Sequence, residues 1–327
     1  YLTLKDYEAI PNGLVAGVAK CLRENSRFMD ILPFQNVGSL AVKVVREGSM
    51  PNIGWRSIGE AHGSAKAVKP DEVQERAYSI GNIIAVDKVY MRDKSPRLYN
   101  PMTYQTMMAT KAIARNFCDA VINGLPTDTG AEKPVGLHYR TQNELSAQLI
   151  AGGGLDISSD SSTLAADTQK FFDFLDQLLY TLTDSYEAAG NVYLLTNDTV
   201  IGRYQSVARQ SGLLSTAQDA IGRVFPSYKG ALFVDMGRKY DDSTRIMLNT
   251  ELDNGSALTG GDASSIYGIR VGPEYFTGFQ EYPLEVSAPQ LDPTNQVLYY
   301  SVIDWVVGIA VSHPRYSVAR LTGVVAA

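Results

Sequence analysis

Recognisable catalytic motifs are scarce in this 327-residue chain, which has two cysteines and three histidines. Cys21 and Cys118 are the two cysteines and lack Cys-x-x-Cys spacing, so neither a disulfide framework nor a metal knuckle is indicated; both are expected to be reduced and packed. No Gly-Lys dipeptide occurs, which excludes a Walker-type phosphate loop and makes ATP hydrolysis an unsuitable reading. Gly152-Gly153-Gly154 lacks the third glycine and the strand-to-helix setting of a dinucleotide fingerprint, and reads as a flexible surface turn. His62, His138 and His313 have no ligand spacing, and no Gly-x-Ser-x-Gly elbow accompanies them. Asp241-Asp242 and the cluster Asp156 to Asp160 could hold a cation or act as paired acids, but carboxylates in polar turns are ordinarily solvated. No catalytic, cofactor-binding or metal-binding residue is therefore assigned, and no enzyme activity or cofactor is expected.

Long apolar runs are also missing. The longest, Val302 to Val311, contains Asp304 and falls short of the roughly 20 residues of a membrane helix, so it reads as a buried strand and no membrane partner is expected. The start, Tyr1-Leu-Thr-Leu, has no basic segment followed by an apolar run, so export is not expected; a first residue other than Met fits either proteolytic processing or truncation. Basic excess is absent: 29 Lys and Arg against 35 Asp and Glu give a net charge of −6, and the basic residues are scattered, unlike the clusters of a dedicated nucleic-acid binder. A 45% hydrophobic content is enough for a sizeable core in one large or two intertwined domains.

What is present begins with a long excursion. Between Glu47 and Arg76 lie about thirty polar, Gly-rich residues with Trp55 near the middle. A compact domain seldom carries so long a structureless loop without a function for it. On either side, Leu40 to Val45 and Tyr78 to Tyr90 alternate as half-buried strands do, and are expected to pair as the base of a long hairpin. Ile53, Trp55 and Ile58 sit among glycines far from any local core, which marks a protein contact; the plain alternative is a surface loop with an isolated Trp.

Asn100 as cap, Pro101 at the first position and Gly124 as terminator specify a helix of about 33 Å over Pro101 to Ile122. Phe171, Leu175, Leu178, Leu182 and Tyr186 recur at helical spacing up to Gly190. A strand follows at Val192 to Leu195, then a helix capped by Thr196-Asn197 and stopped by Gly212. Residues 1–34, with the amphipathic piece Leu14 to Leu22 and the Pro33 break, suit a docked arm.

Taken in order, several motifs are specific enough to carry a resemblance. They are the hairpin with Gly54-Trp55, the helix ending Phe117-Cys-Asp-Ala-Val-Ile-Asn-Gly124, Pro134-Val-Gly-Leu137, Tyr193-Leu-Leu-Thr-Asn-Asp198, Tyr267-Gly-Ile-Arg-Val-Gly272, Glu285-Val286, Val306 to Ala310 through Pro314, and Ala319-Arg-Leu321. Their succession over nearly the whole chain resembles the tailed-phage major capsid proteins of the Hong Kong 97-like (HK97-like) fold.

That resemblance implies an α+β chain with an N-terminal arm at 1–36, an extended β-hairpin loop at 37–92, a peripheral domain with a spine helix at 93–165, a central α/β domain at 166–295 and a return strand to the peripheral domain at 296–327. It implies self-assembly through pentamers and hexamers into an icosahedral shell around the double-stranded DNA of a tailed phage, with inter-subunit contact through Ile53, Trp55, Arg56, Ile58 and Glu60. Leu252 to Ser265 becomes a candidate loop at the capsomer centre. Implied partners are other copies of the chain, portal, scaffold and cement or decoration proteins, and packaged DNA bound without sequence specificity, to which an acidic wall would not adhere. The implied location is the virion, after assembly in the host cytoplasm. Some relatives cross-link a loop Lys to an Asn; Lys66 and Lys69 stand in the loop, but Tyr299 and Val306 fall where the Asn and its Glu would be, with Asn295 nearby, so a non-covalent shell is expected. An encapsulin-type bacterial compartment is the alternative, and a soluble enzyme with an acidic-loop active site is the second.

Overall fold

The computed structural model describes residues 26–46, 53–61, 71–92, 100–126, 132–158, 164–188, 191–213, 215–218, 224–253, 256–257, 262–294 and 296–326. The expectations placed on Leu14 to Leu22, Cys21, His62, Lys66, Lys69, Asp160 and Asn295 lie outside them.

In chain order the first elements are helix α1 (Arg27–Ile31) and strands β1 (Phe34–Asn36), β2 (Ala41–Arg46), β3 (Asp71–Arg76) and β4 (Tyr78–Asp87). Helices α2 (Lys88–Arg92) and α3 (Pro101–Asn123) follow, then β5 (Leu149–Asp156), α4 (Leu164–Thr183), β6 (Val192–Thr196) and α5 (Asp198–Gln210). The rest is β: β7 (Ser215–Gln218), β8 (Val224–Tyr228), β9 (Ala231–Asp235), β10 (Leu252–Asp253), β11 (Ser256–Ala257), β12 (Ala263–Arg270), β13 (Phe276–Val286), β14 (Gln290–Leu291), β15 (Leu298–Val311) and β16 (Val318–Val325).

Two larger sheets organise these strands. One is five-stranded, with β1, β13, β15 and β14 in order and β4 also on β15. The other is seven-stranded, in the order β5-β16-β12-β6-β9-β8-β7. The long helix α3 lies against the first. Asn100 caps it by accepting from the Met102 amide at 3.0 Å, with Pro101 at the start. Its inner face, Ile113, Phe117, Cys118 and Val121, packs on Trp305 of β15, whose ring lies 5.2 Å from Phe117 and 5.5 Å from Phe34. The Trp305 indole N–H donates to Gln280 Oε1 at 3.0 Å, so this buried Trp has its polar atom satisfied. Cys118 is free and buried, with its thiol pushed up to about 12 by burial, hence unreactive.

The second core gathers under α4. Phe171, Leu175, Leu178 and Leu182 are buried against β5, β12 and β16, and Gly268 of β12 makes room for Leu178 and Leu182. Asn197 caps α5 by accepting from the Val200 amide at 2.9 Å. Its side-chain amide also donates to Met247 O, Asn249 Oδ1 and Ser264 Oγ.

Several expectations need correcting. The partner of β2 is β3, in antiparallel register from Ala41↔Arg76 to Arg46↔Asp71, and Tyr78 onward instead pairs with β15 from Leu298↔Asp87 to Val307↔Tyr78. Strand β3 reads Asp-Glu-Val-Gln-Glu-Arg, so its polarity hides it from a search for apolar alternation. The excursion is shorter than the sequence suggests, and β4 ends at Asp87, where α2 begins. Gly152-Gly153-Gly154 lies inside β5: a Cβ on Gly152 would meet the Thr322 carbonyl oxygen, while Gly153 and Gly154 have φ of +66° and +80° beside a register shift in the β5–β16 pairing. It is a bulged strand, where only glycine fits both demands. Helix α4 stops at Thr183 because Asp184 turns left-handed at φ +51°, leaving Tyr186 stacked on Tyr180 at 5.3 Å. Gly124 ends α3 in an extended conformation set by its ψ of 130° at φ −62°, and its role is space: a Cβ would meet the Pro134 and Ala120 carbonyl oxygens. Residues 296–327 hold two strands, β15 in the five-stranded sheet and β16 in the seven-stranded one. Of Leu252 to Ser265, the last three residues belong to buried β12, and Leu252–Asp253 pairs with Ser256–Ala257.

Candidate inter-subunit surface

The β2–β3 hairpin stands apart from both large sheets. Val44 tucks under it against Phe279 and Ala310, and Arg46 and Glu75 are its other buried side chains. Beyond it, residues 53–61 form a turn that organises itself. The Glu60 amide donates to Ser57 O at 3.1 Å, the Ser57 amide to Glu60 Oε2 at 3.2 Å, and Arg56 Nη1 to Glu60 O at 2.9 Å. Gly59, at φ +91°, supplies the left-handed step that closes the turn.

The five residues expected at the contact are thus brought together but divide into two roles. Arg56 and Glu60 hold the turn. Ile53, Trp55 and Ile58 are 87%, 105% and 106% exposed and touch no core. Covering each would return about 1.5–3 kcal/mol, a strong incentive for a complementary surface.

Two buried charged clusters were invisible in the sequence. At the root of the hairpin, Arg140 forks the Glu75 carboxylate with Nη1 and Nη2 both at 2.6 Å, and Arg46 Nη2 lies 3.5 Å from Glu75 Oε1. Burial disfavours the Arg140 charge, but the Glu75 bond and charge outweigh it and hold the guanidinium above its ordinary range. Deeper, Glu251 Oε1 gathers His138 Nδ1 at 2.9 Å, the Tyr267 hydroxyl at 3.0 Å and Arg320 Nη2 at 3.1 Å. Burial would raise the Glu251 carboxyl; the His138 hydrogen bond and the Arg320 charge overcome that and lower it. Nothing short of the tertiary contacts distinguishes Glu75 or Glu251 from the chain's other glutamates.

The remaining polar candidates are occupied by local structure. The Asp241 carboxylate accepts from the amides and hydroxyls of Ser243 and Thr244, which lower its pKa, and Asp242 pairs with Arg115 Nη1 at 2.6 Å. His313 Nδ1 accepts from the Arg315 and Tyr316 amides, both at 3.1 Å, closing a turn. Among the described residues no group of three or more His, Cys, Asp or Glu is arranged to hold a metal, and no helix is long and apolar enough to cross a membrane.

No protein-family model matches this chain, and no curated protein does. Solved structures do. An encapsulin complex of Synechococcus elongatus PCC 7942 (holo-SrpI) aligns at TM-score 0.59 and 15% identity, over 91% of this chain and 87% of that one. The capsid of an empty GTA particle aligns at 0.58 and 16%, over 91% and 90%. The capsid of Myoviridae phage XM1 aligns at 0.54 and 14%, over 89% of each. With this element order, a long helix backed by one sheet, a second α/β unit and a separate two-stranded hairpin packed through Val44 on the first sheet, the chain has the α+β Hong Kong 97-like capsid fold.

Proposed function

We propose that the protein is a structural shell subunit, the major capsid protein of a tailed phage, assembling through pentamers and hexamers around double-stranded DNA. The observation that carries the reading is the tip at 53–61, where a folded turn displays Ile53, Trp55 and Ile58 to solvent on a fold shared with shell proteins. Such side chains are costly to leave uncovered and serve a subunit that covers them with its neighbour. Portal, scaffold and cement proteins, virion location, assembly in the host cytoplasm and the absence of catalysis belong to the same proposal. An encapsulin-type compartment is the second reading, favoured by the likeness to the Synechococcus complex.

Sedimentation of the purified chain, followed by electron microscopy of what sediments, tests the shell. Closed particles or free pentamers and hexamers are expected; a folded monomer or dimer under all assembly conditions, scaffold included, overturns it. Particles recovered from their source cells separate the two readings: nuclease-protected double-stranded DNA supports the phage capsid, and a co-purifying enzyme supports the compartment.

A further inference from the structure

The hairpin that carries the exposed tip is joined to the five-stranded sheet through Ala77, the one residue between β3 and β4, whose amide donates to Leu40 O at 2.8 Å. Its strands belong to neither large sheet, and a two-stranded ribbon by itself is marginal in water. Its apolar anchorage consists of Val44 on Phe279 and Ala310, edged by Val37, Val42 and Ala77. Contact of that kind is favourable but non-directional. The charged cluster beneath it is directional.

Glu75 lies opposite Val42 in the ladder, and its side chain turns inward, 9% exposed. Arg140 meets it with a two-pronged fork, and Arg140 is itself held by Nε donating to Val135 O at 2.9 Å and by Glu144 at 3.7 Å. The next residue, Gly136, donates its amide to Gly124 O at 2.8 Å, at the end of α3. From the other strand, Arg46 reaches Glu75 and donates from Nε to Val311 O at 3.2 Å, at the end of β15. One carboxylate thus ties both hairpin strands to the end of the long helix and to the five-stranded sheet. A bidentate Arg–carboxylate pair fixes orientation as well as distance, and a buried one is badly upset when a partner is removed.

We propose that Glu75 is a positioning residue for assembly: its clamp by Arg140 and Arg46 sets the direction in which the chain leaves β2 and re-enters β3, and so where the apolar tip meets a second copy of this chain. The assembly role rests on the shell reading; the clamp itself does not.

Two readouts on the full chain test it, with Glu75→Gln as the first variant and Glu75→Asp, which keeps the charge but shortens its reach, as the second. Amide hydrogen exchange of the unassembled chain is expected to rise at least about tenfold over 41–46 and 71–76, the factor corresponding to loss of one charge-assisted hydrogen bond, with Val192–Thr196 unchanged. Particles imaged after assembly are expected to lose a single diameter in favour of mixed sizes and open sheets. If Glu75→Gln unfolds throughout, Glu75→Asp decides by the same two measurements. Unchanged exchange in the hairpin overturns the clamp. Faster exchange with particles of unaltered size and yield reduces Glu75 to an ordinary structural residue and overturns the positioning role. Wild-type chain that forms no particles overturns the shell reading and the assembly role with it, while the exchange result still tells whether the clamp holds the hairpin.

Discussion

Under α4 the chain buries Phe171, Leu175, Leu178, Leu179 and Leu182 against three strands of a seven-stranded sheet, whereas in the β2–β3 hairpin the one buried apolar residue is Val44. The first region closes on itself by matching apolar volume, and Asn197 beside it has its side-chain hydrogen bonds made within the chain. The hairpin is held by a Glu between two arginines and leads to side chains that none of the described residues covers. That difference separates segments that cover their own apolar surface from one that leaves it exposed.

The comparison can be broken by substitution, starting in the body. Trp305→Ala should cost about 3–5 kcal/mol in urea unfolding, because it removes the ring that Phe34 and Phe117 pack on and orphans Gln280; a loss below about 1 kcal/mol would mean that this core repacks freely. Asn197→Ala should cost about 1–2 kcal/mol in the same assay, since one side chain caps α5 and satisfies three further partners. Equal stability of that variant and wild type would remove the cap from the account.

Acid sharpens the contrast from within. Glu251 titrates below its ordinary value of 4.5 in the folded chain, so its stabilising contribution is complete above that value and drains away as pH falls through the lowered one. Glu251→Gln should therefore flatten the loss of urea stability on acidification below about pH 4.5; an unchanged acid slope would assign the effect to other carboxylates. The smallest effect on folding belongs to the tip. Trp55→Ala should shift unfolding by no more than about 0.5 kcal/mol while weakening particle formation in sedimentation. Unaltered assembly would take Trp55 off the contact surface.

The helices were legible because their signals are local. Asn100-Pro101 announces α3, Asn197 announces α5, and the heptad-like spacing of Phe171 to Leu182 announces α4, each within a few residues of the structure it specifies. Strand pairing was not legible to the same degree. Leu40 to Val45 looks for any antiparallel partner, and the nearest apolar alternation, at Tyr78, was the natural choice. The structure gives that strand to Leu298–Val311, more distant in sequence, and pairs β2 with the polar β3. Three glycines in a row signal a turn when read alone; the Thr322 backbone, packed against Gly152, makes them a bulge. The candidate surface was legible in part, since Ile53, Trp55 and Ile58 stand out among glycines, but the division of labour between them and Arg56 and Glu60 depends on a turn geometry that no spacing rule supplies.

By itself the sequence determined where α3 and α5 begin, which apolar face α4 offers, and which catalytic motifs are missing, because capping, periodicity and motif spacing act over a few residues. Only the tertiary structure decided which strands pair, why Gly124 and Gly152 must lack a side chain, and that Glu75 and Glu251 are the buried glutamates at the centre of charge clusters. Those features arise where segments remote in sequence meet, and their energies come from partners that a linear reading cannot bring together.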